Sequence, residues 1–169
     1  MINRRETVFS TRWFEVEARH KEGETEPYYS LKLPDYVAVV AYTAQGDVVL
    51  VRQYRPAIDA VTLELPSGLV DGADGPEATA RRELAEETGY EAGELIHLGT
   101  LYPDVGRLQN RLHCYLAGDV RPIPNAKVES GIETVIMPAA ELVRATRDGR
   151  FPHGLHLAAL QLASIHERS

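Results

Sequence analysis

Three glutamates, Glu83, Glu86 and Glu87, recur at i, i+3 and i+4 in a stretch that contains only residues a helix tolerates. At roughly 100° per residue, their side chains project within an arc of about 100°. Like charges placed this way destabilise an isolated helix by a few tenths of a kcal/mol per pair, at about the scale of one i,i+4 contact. Arg82 can pair with Glu86 one turn on, but one cation does not offset three carboxylates. A hard divalent cation does. Carboxylate oxygens on one rigid face suit Mg²⁺ or Mn²⁺. Glu83 and Glu87, one turn apart, are the first-choice ligands, with Glu86 as a shared or second-ion ligand. The plainer reading of the same spacing is a solvated acidic face.

The charge of the whole chain supports the search for a cation. The 169 residues carry a formal net charge of −7, and Glu64 to Glu91 holds eight acids against two bases, which is −6 of that total. With an isoelectric point near 5.4 and no Lys/Arg cluster, nucleic-acid binding is excluded as an expectation. No apolar run approaches the roughly 18–20 residues of a membrane span. No apolar stretch follows Arg4 and Arg5, so a secretory signal is not expected. The single cysteine, Cys114, fits a reducing, cytoplasmic setting and reads as a core filler.

The elements that must carry these residues can be read from local pattern. Strands are expected at 12–19, 28–33, 37–42, 48–54 and 61–65, the last halted by Pro66-Ser67-Gly68. Val37 to Tyr42 is a continuous apolar run, the form of a strand covered on both faces. Pro76 opens the acidic helix and Gly89 stops it. Further strands are expected at 95–101, 111–117 and 132–137, then short helices from Pro138 and from Leu155. Helices around a mixed sheet make the chain α/β or α+β. Residues 121–131 form the longest irregular stretch.

Other side chains have the chemistry to join the acidic helix. Arg52 and Arg55 end a strand, and guanidinium forks match phosphate geometry. Strand alternation points them to opposite faces, and Arg55 is the preferred phosphate ligand. Glu64 points away from Leu63 and Leu65, toward metal, substrate or a structural ion pair. His153 and His156 have a spacing that could hold zinc, but no acid is near them in sequence and a packing role is expected. His113 is expected to point outward or to lie at an interface.

From Gly68 to Tyr90, with Glu83 to Gly89 in register, the 23 positions resemble the Nudix box. Asp74 stands where that family usually has glutamate, and Tyr90 replaces an aliphatic residue. Arg52-Gln53-Tyr54-Arg55-Pro56 and Glu64-Leu65-Pro66-Ser67-Gly68 are similar to the ADP-ribose pyrophosphatase branch. The marker proline of that branch is met only loosely by Pro103, and Asn110 stands where similar enzymes often have glutamate. The resemblance implies a Nudix α/β/α sandwich with a mixed sheet over residues 35–166. An N-terminal strand arm, 1–34, would pair two subunits into a homodimer. It implies metal-dependent hydrolysis of a nucleoside diphosphate linked to another moiety, with ADP-ribose giving AMP and ribose 5-phosphate. The Ser67 carbonyl joins Glu83, Glu86 and Glu87 around the ion, and Gly68 lets the backbone bend. Metal ligands make poor general bases. A loop glutamate is therefore expected to activate water, with Glu129 first and Glu133 its rival. A non-catalytic nucleotide-sugar sensor and a nucleoside triphosphate pyrophosphohydrolase are the alternative readings.

Overall fold

The computed structural model describes residues 1–70 and 75–168. Asp71 and Asp74, including the Asp74 departure noted above, lie outside the described residues. The chain order is β1 (Ile2–Ser10), β2 (Glu15–Lys21), β3 (Tyr28–Lys32), β4 (Tyr36–Thr43), β5 (Asp47–Arg55), β6 (Ala60–Glu64) and β7 (Ser67–Leu69). Then come α1 (Gly75–Thr88), β8 (Tyr90–Glu91), β9 (Ile96–Leu101), β10 (Leu112–Pro122), β11 (Ile132–Pro138), α2 (Ala139–Arg147) and α3 (Gly154–His166).

β4 is buried along nearly its whole length because a layer covers each face. Val37, Val39 and Ala41 pack with Val49, Ala80 and Leu84 against α1. Ala38 and Val40 pack with Leu50, Leu65 and Cys114 against Phe151, Ala159 and Ala163 on the side of α2 and α3. Burying a Val or Leu is worth roughly 1.5–3 kcal/mol, so the apolar run alone draws helices to both sides. The main sheet runs β11-β5-β4-β10-β8, with β6 on β5, β7 on β4 and β9 on β10. β10 is parallel to β4, whereas β5 and β11 are antiparallel to their neighbours. The sheet is therefore mixed and enclosed between helices, an α/β/α sandwich.

Two elements depart from expectation. β6 ends before Pro66, as expected, and the departure is the short strand that follows it. β6 pairs with β5, and after the proline the chain crosses to pair as β7 with β4, Ser67 opposite Ala38 and Gly68 opposite Val37. β1 falls within the expected N-terminal strand arm but in none of the strands read there, because its residues are exposed throughout and show no apolar alternation. It pairs with β2 in a separate three-stranded sheet, β1-β2-β3. Trp13, expected within a strand, sits in the intervening turn, where Thr11 Oγ1 accepts from the Trp13 and Phe14 amides at 3.1 Å each. Cys114 is fully buried in the core, as read from its strand face. No helix among the described residues is long and apolar enough to cross a membrane.

α1 ends where Gly89 takes a positive φ of 71° and donates its amide to the Ala85 carbonyl at 2.9 Å. Its hold on the sheet rests on Leu84, which is fully buried. Leu84→Ala should cost about 2–5 kcal/mol, read as a lower midpoint in urea with the slope unchanged.

Candidate active site

α1 presents its acids unequally. Glu83 and Glu87 are buried and Glu86 is exposed. Glu87 Oε2 accepts from the Ser67 amide at 2.8 Å, which ties the last turn of the helix to the start of β7. Glu83 lies against Gly68 so closely that a Cβ on that residue would overlap its carboxyl group. Gly68 is absent from the positive-φ glycines. The glycine is needed for this approach, and the tight bend expected from the sequence is not its reason. Arg82 reaches both Glu83 and Glu86 at 2.8 Å, so its charge is shared.

Burial pushes the Glu87 carboxyl up to about 8, and the Glu83 and Glu129 charges add to that against the Ser67 hydrogen bond and Arg55. Burial likewise raises Glu83, with Arg82 opposing it. These are carboxylates held together without enough positive charge. The donor set, all oxygens on a rigid helix face beside a backbone strand, fits a hard divalent cation. Glu83, Glu86, Glu87 and the carbonyl of Ser67 are the groups that would hold it.

Residues from the sheet close the site on a second side. In β5 and β6, opposed residues share a face, and Glu64 is opposite Val51. Val51, Gln53 and Arg55 alternate onto the face of Val49, which packs on α1. Arg55 donates to Glu64 through Nε at 2.7 Å and through a terminal nitrogen at 2.6 Å, and Thr62 donates to the same carboxylate at 2.5 Å. Burial alone would raise the Glu64 pKa, but the Arg55 and Thr62 hydrogen bonds win and hold it at about 2. Arg55 feels the Glu87 charge as well. Its fork offers five N–H donors, so those not used on Glu64 remain for a ligand.

The fold separates the other candidates. Glu133 is opposite Arg52 in the β5–β11 register and pairs with it at 2.8 Å. Arg52 alternates with Arg55, so this pair lies on the sheet face turned away from α1. Glu129 is placed differently. Its amide donates to the Glu86 carbonyl at 2.9 Å, its side chain is exposed, and both Glu83 and Glu87 feel its charge. The histidines need a correction. No acid is close to His153 and His156 in sequence, yet the fold brings Glu64 to them, with one ligand atom from each of the three within 4.8 Å. Chain order concealed this, because Glu64 comes from β6 and the histidines from the start of α3. His113, expected outward or at an interface, is mostly covered and shares a 3.1 Å hydrogen bond with Asp35.

A cavity of about 480 Å³ opens beside Ser67 and Gly68, lined also by Arg55, Tyr36, Asn110, His153 and Trp13. The exposed indole of Trp13 is on its wall. Tyr28 and Tyr29 line a different hollow, and Tyr54 donates to Asp59 at 2.6 Å. A larger cavity of about 730 Å³ lies between β9, β10 and the end of α3, away from the α1 carboxylates.

Two measurements check this geometry. A carboxyl raised in the folded state stabilises the fold below its unfolded value near 4.5, and that contribution is lost as pH rises through about 8. In chelator, the melting temperature should therefore fall between pH 5 and pH 8.5, and Glu87→Gln should flatten that fall. Glu64, held at about 2, works in the opposite sense, and its contribution goes only as pH drops below about 4.5. Gly68→Ala meets the far end of a flexible side chain, so Glu83 swings away and the fold survives. Its melting temperature should stay near the parent value while divalent-ion binding, followed by calorimetry, weakens at least tenfold.

Comparison with known proteins places these features in a family. The NUDIX domain family model matches residues 32–157. The chain is 32% identical over 119 residues to the ADP-ribose pyrophosphatase of Bacillus subtilis, a match covering 69% of this chain and 64% of that relative, just under two thirds of its length. It is 34% identical over 131 residues to the GDP-mannose pyrophosphatase of Yersinia enterocolitica, covering 72% of this chain and 68% of the relative. A methanol dehydrogenase activator from Bacillus methanolicus aligns over 96% of this chain and 91% of its own length at 27% identity. The fold matches a solved ADP compounds hydrolase with a TM-score of 0.84 at 24% identity, over 99% of this chain and 94% of that one. With three quarters of its length under the family model and the box helix turned onto Gly68, the chain belongs to the NUDIX domain family.

Proposed function

We propose that this chain hydrolyses the diphosphate bridge of a nucleotide sugar, with ADP-ribose cleaved to AMP and ribose 5-phosphate as the leading reaction. The observation that carries the reading is the pair of buried carboxylates, Glu83 and Glu87, turned onto the Ser67–Gly68 corner beside a cavity lined by Arg55 and Trp13. Relatives named ADP-ribose pyrophosphatase and GDP-mannose pyrophosphatase support it. Mg²⁺ or Mn²⁺ is the resident ion in this reading, held by Glu83, Glu86, Glu87 and the Ser67 carbonyl. When bound, such an ion sets positive charge against the diphosphate and lowers the pKa of water.

The chain's own groups then have distinct tasks. Arg55, braced by Glu64, directs its remaining N–H donors at a phosphate. Trp13 offers a flat apolar wall to a base or sugar ring. Glu129 takes the proton of the attacking water. The new O–P bond forms as the bridging P–O bond breaks, leaving two phosphate monoesters. Glu133 and Arg52, paired on the far face, take no part. The free edge of β1, which carries exposed Val8 and Phe9, pairs with a second copy to give a homodimer. A single cysteine fits a reducing, cytoplasmic setting.

A panel of ADP-ribose, ADP-glucose, GDP-mannose, diadenosine polyphosphates and nucleoside triphosphates, with Mg²⁺ or Mn²⁺, tests the reaction. Nucleotide sugars should be turned over fastest. Preference for triphosphates, or binding without turnover, would count against it. Glu129→Gln should lower kcat by roughly 10²–10⁴-fold with ion affinity nearly unchanged, while Glu133→Gln stays within a few-fold of the parent. If both stay within a few-fold, the loop supplies no base. Light scattering should give a dimer for the intact chain and a monomer or insoluble product after deletion of residues 1–33.

A further inference from the structure

The last four carbonyls of a helix have no donor within it, and together they form its negative pole. The last turn of α1 makes that pole harder to satisfy, because it holds Glu86 and Glu87 and no base. The Gly89 amide meets the Ala85 carbonyl at 2.9 Å. For Glu86, Glu87 and Thr88 the donors come from much later in the chain, between the end of β10 and the middle of β11.

The Ile123 amide donates to the Gly89 carbonyl at 2.8 Å, and the Glu129 amide donates to the Glu86 carbonyl at 2.9 Å. Thr134 Oγ1 then donates to the Thr88 carbonyl at 3.2 Å and lies 3.5 Å from that of Glu87. Between the first two bonds the Ala126 methyl rests on Gly89. It lies 3.1 Å from where a Cβ on that glycine would stand, with a Val128 methyl at 3.6 Å. Asn125 and Gly131, at φ of 57° and 90°, turn the chain on either side of this stretch. Residues 123–129 form no helix or strand, yet they are seated along the end of α1.

We infer that residues 123–129 are a strap that caps α1, and that Ala126, through its contact with Gly89, is a positioning residue for Glu129. This rests on the reading above in which Glu129 takes the proton of the attacking water. The Glu129 amide is bonded to the carbonyl of Glu86, one of the groups that would hold the ion. The base and the ion ligands therefore share one piece of backbone, and the seat of the strap sets their separation. Alanine is the side chain that fits this seat. A bulkier one crowds Gly89, lifts the strap and draws the Glu129 amide off the Glu86 carbonyl. Ala126 is otherwise exposed, so its replacement leaves the core intact.

The test makes Ala126→Val, branched at Cβ, and Ala126→Ser, each in the parent and in Glu129→Gln. With ADP-ribose and Mg²⁺, Ala126→Val should lower kcat about tenfold or more, since a small misplacement of a reacting group is costly. KM should stay within a few-fold, and Ala126→Ser should match the parent. In the Glu129→Gln background Ala126→Val should cost less than about twofold, because the placement of a missing base has no effect. Hydrogen exchange without ion or substrate gives a second readout: the Glu129 amide should exchange about tenfold faster or more in Ala126→Val, with the Leu84 amide unchanged. An equal loss of kcat in both backgrounds overturns the inference. So does a parent-like kcat in Ala126→Val, or a Glu129 amide already unprotected in the parent. A parent inactive on nucleotide sugars, or a Glu129→Gln variant within a few-fold of the parent, overturns instead the reading of Glu129 as base, and the inference with it.

Discussion

The approach of α1 to the Ser67–Gly68 corner is the contact on which the rest of the site depends. One face of the helix is fixed by apolar packing, Ala80 and Leu84 against Val37, Val39 and Val49. That choice of face leaves Glu83 and Glu87 directed at β7, where the missing Cβ of Gly68 and the Ser67 amide receive them. Rotating the helix to free its carboxylates would expose Leu84, at a cost of roughly 1.5–3 kcal/mol. Hydrophobic burial therefore holds two like charges where electrostatics alone would not.

The corner is fixed from its other sides as well. The Val39 amide donates to the Pro66 carbonyl at 2.9 Å, and the Leu65 amide donates to His156 Nδ1 at 3.0 Å. Glu64 is fastened by Arg55 and Thr62. Residues 64–68 are thus bound to β4, β5, α1 and α3 at once. The proposed reaction would need an ion and a phosphate held at fixed separation on a rigid support, and this short stretch of backbone is rigidly held.

What could be read from the sequence divides along the range of the interactions. The α1 helix, its stop at Gly89 and the shared face of Glu83 and Glu87 follow from spacings within one or two turns. The doubly covered β4 follows from its own apolar run. Pairings between distant segments do not announce themselves in this way. Local pattern gives the end of β6 before Pro66 but cannot say that the next residues will pair with β4. Gly68 looked like a bend residue because the reason for it, the Glu83 carboxyl, arrives 15 positions later. Glu133 looked eligible because its face depends on its register with Arg52 across the sheet. β1 carries no apolar period because its residues are exposed along its whole length, with β2 as its ladder partner.

Two of the buried glutamates around the corner stand in opposite electrostatic surroundings. Glu64 and Glu87 are both covered, yet the first is held at about 2 and the second rises to about 8. The difference is company: Glu64 has a guanidinium fork and a hydroxyl, Glu87 one backbone amide and two carboxylate neighbours. The cluster of Glu64 with His153 and His156 has the right atoms for a metal, but its demands are already met. With Nδ1 accepting from the Leu65 amide, a neutral His156 carries its proton on Nε2. Burial keeps that ring neutral by lowering its pKa to about 3. The two rings lie stacked at 3.6 Å and 10° between planes, so their lone pairs run side by side and do not converge on a point. Arg55 supplies positive charge at that cluster through two hydrogen bonds to Glu64. In the proposed reading a divalent ion would therefore gain more at Glu83 and Glu87, where it would offset a repulsion, than at Glu64, where it would have to displace an arginine.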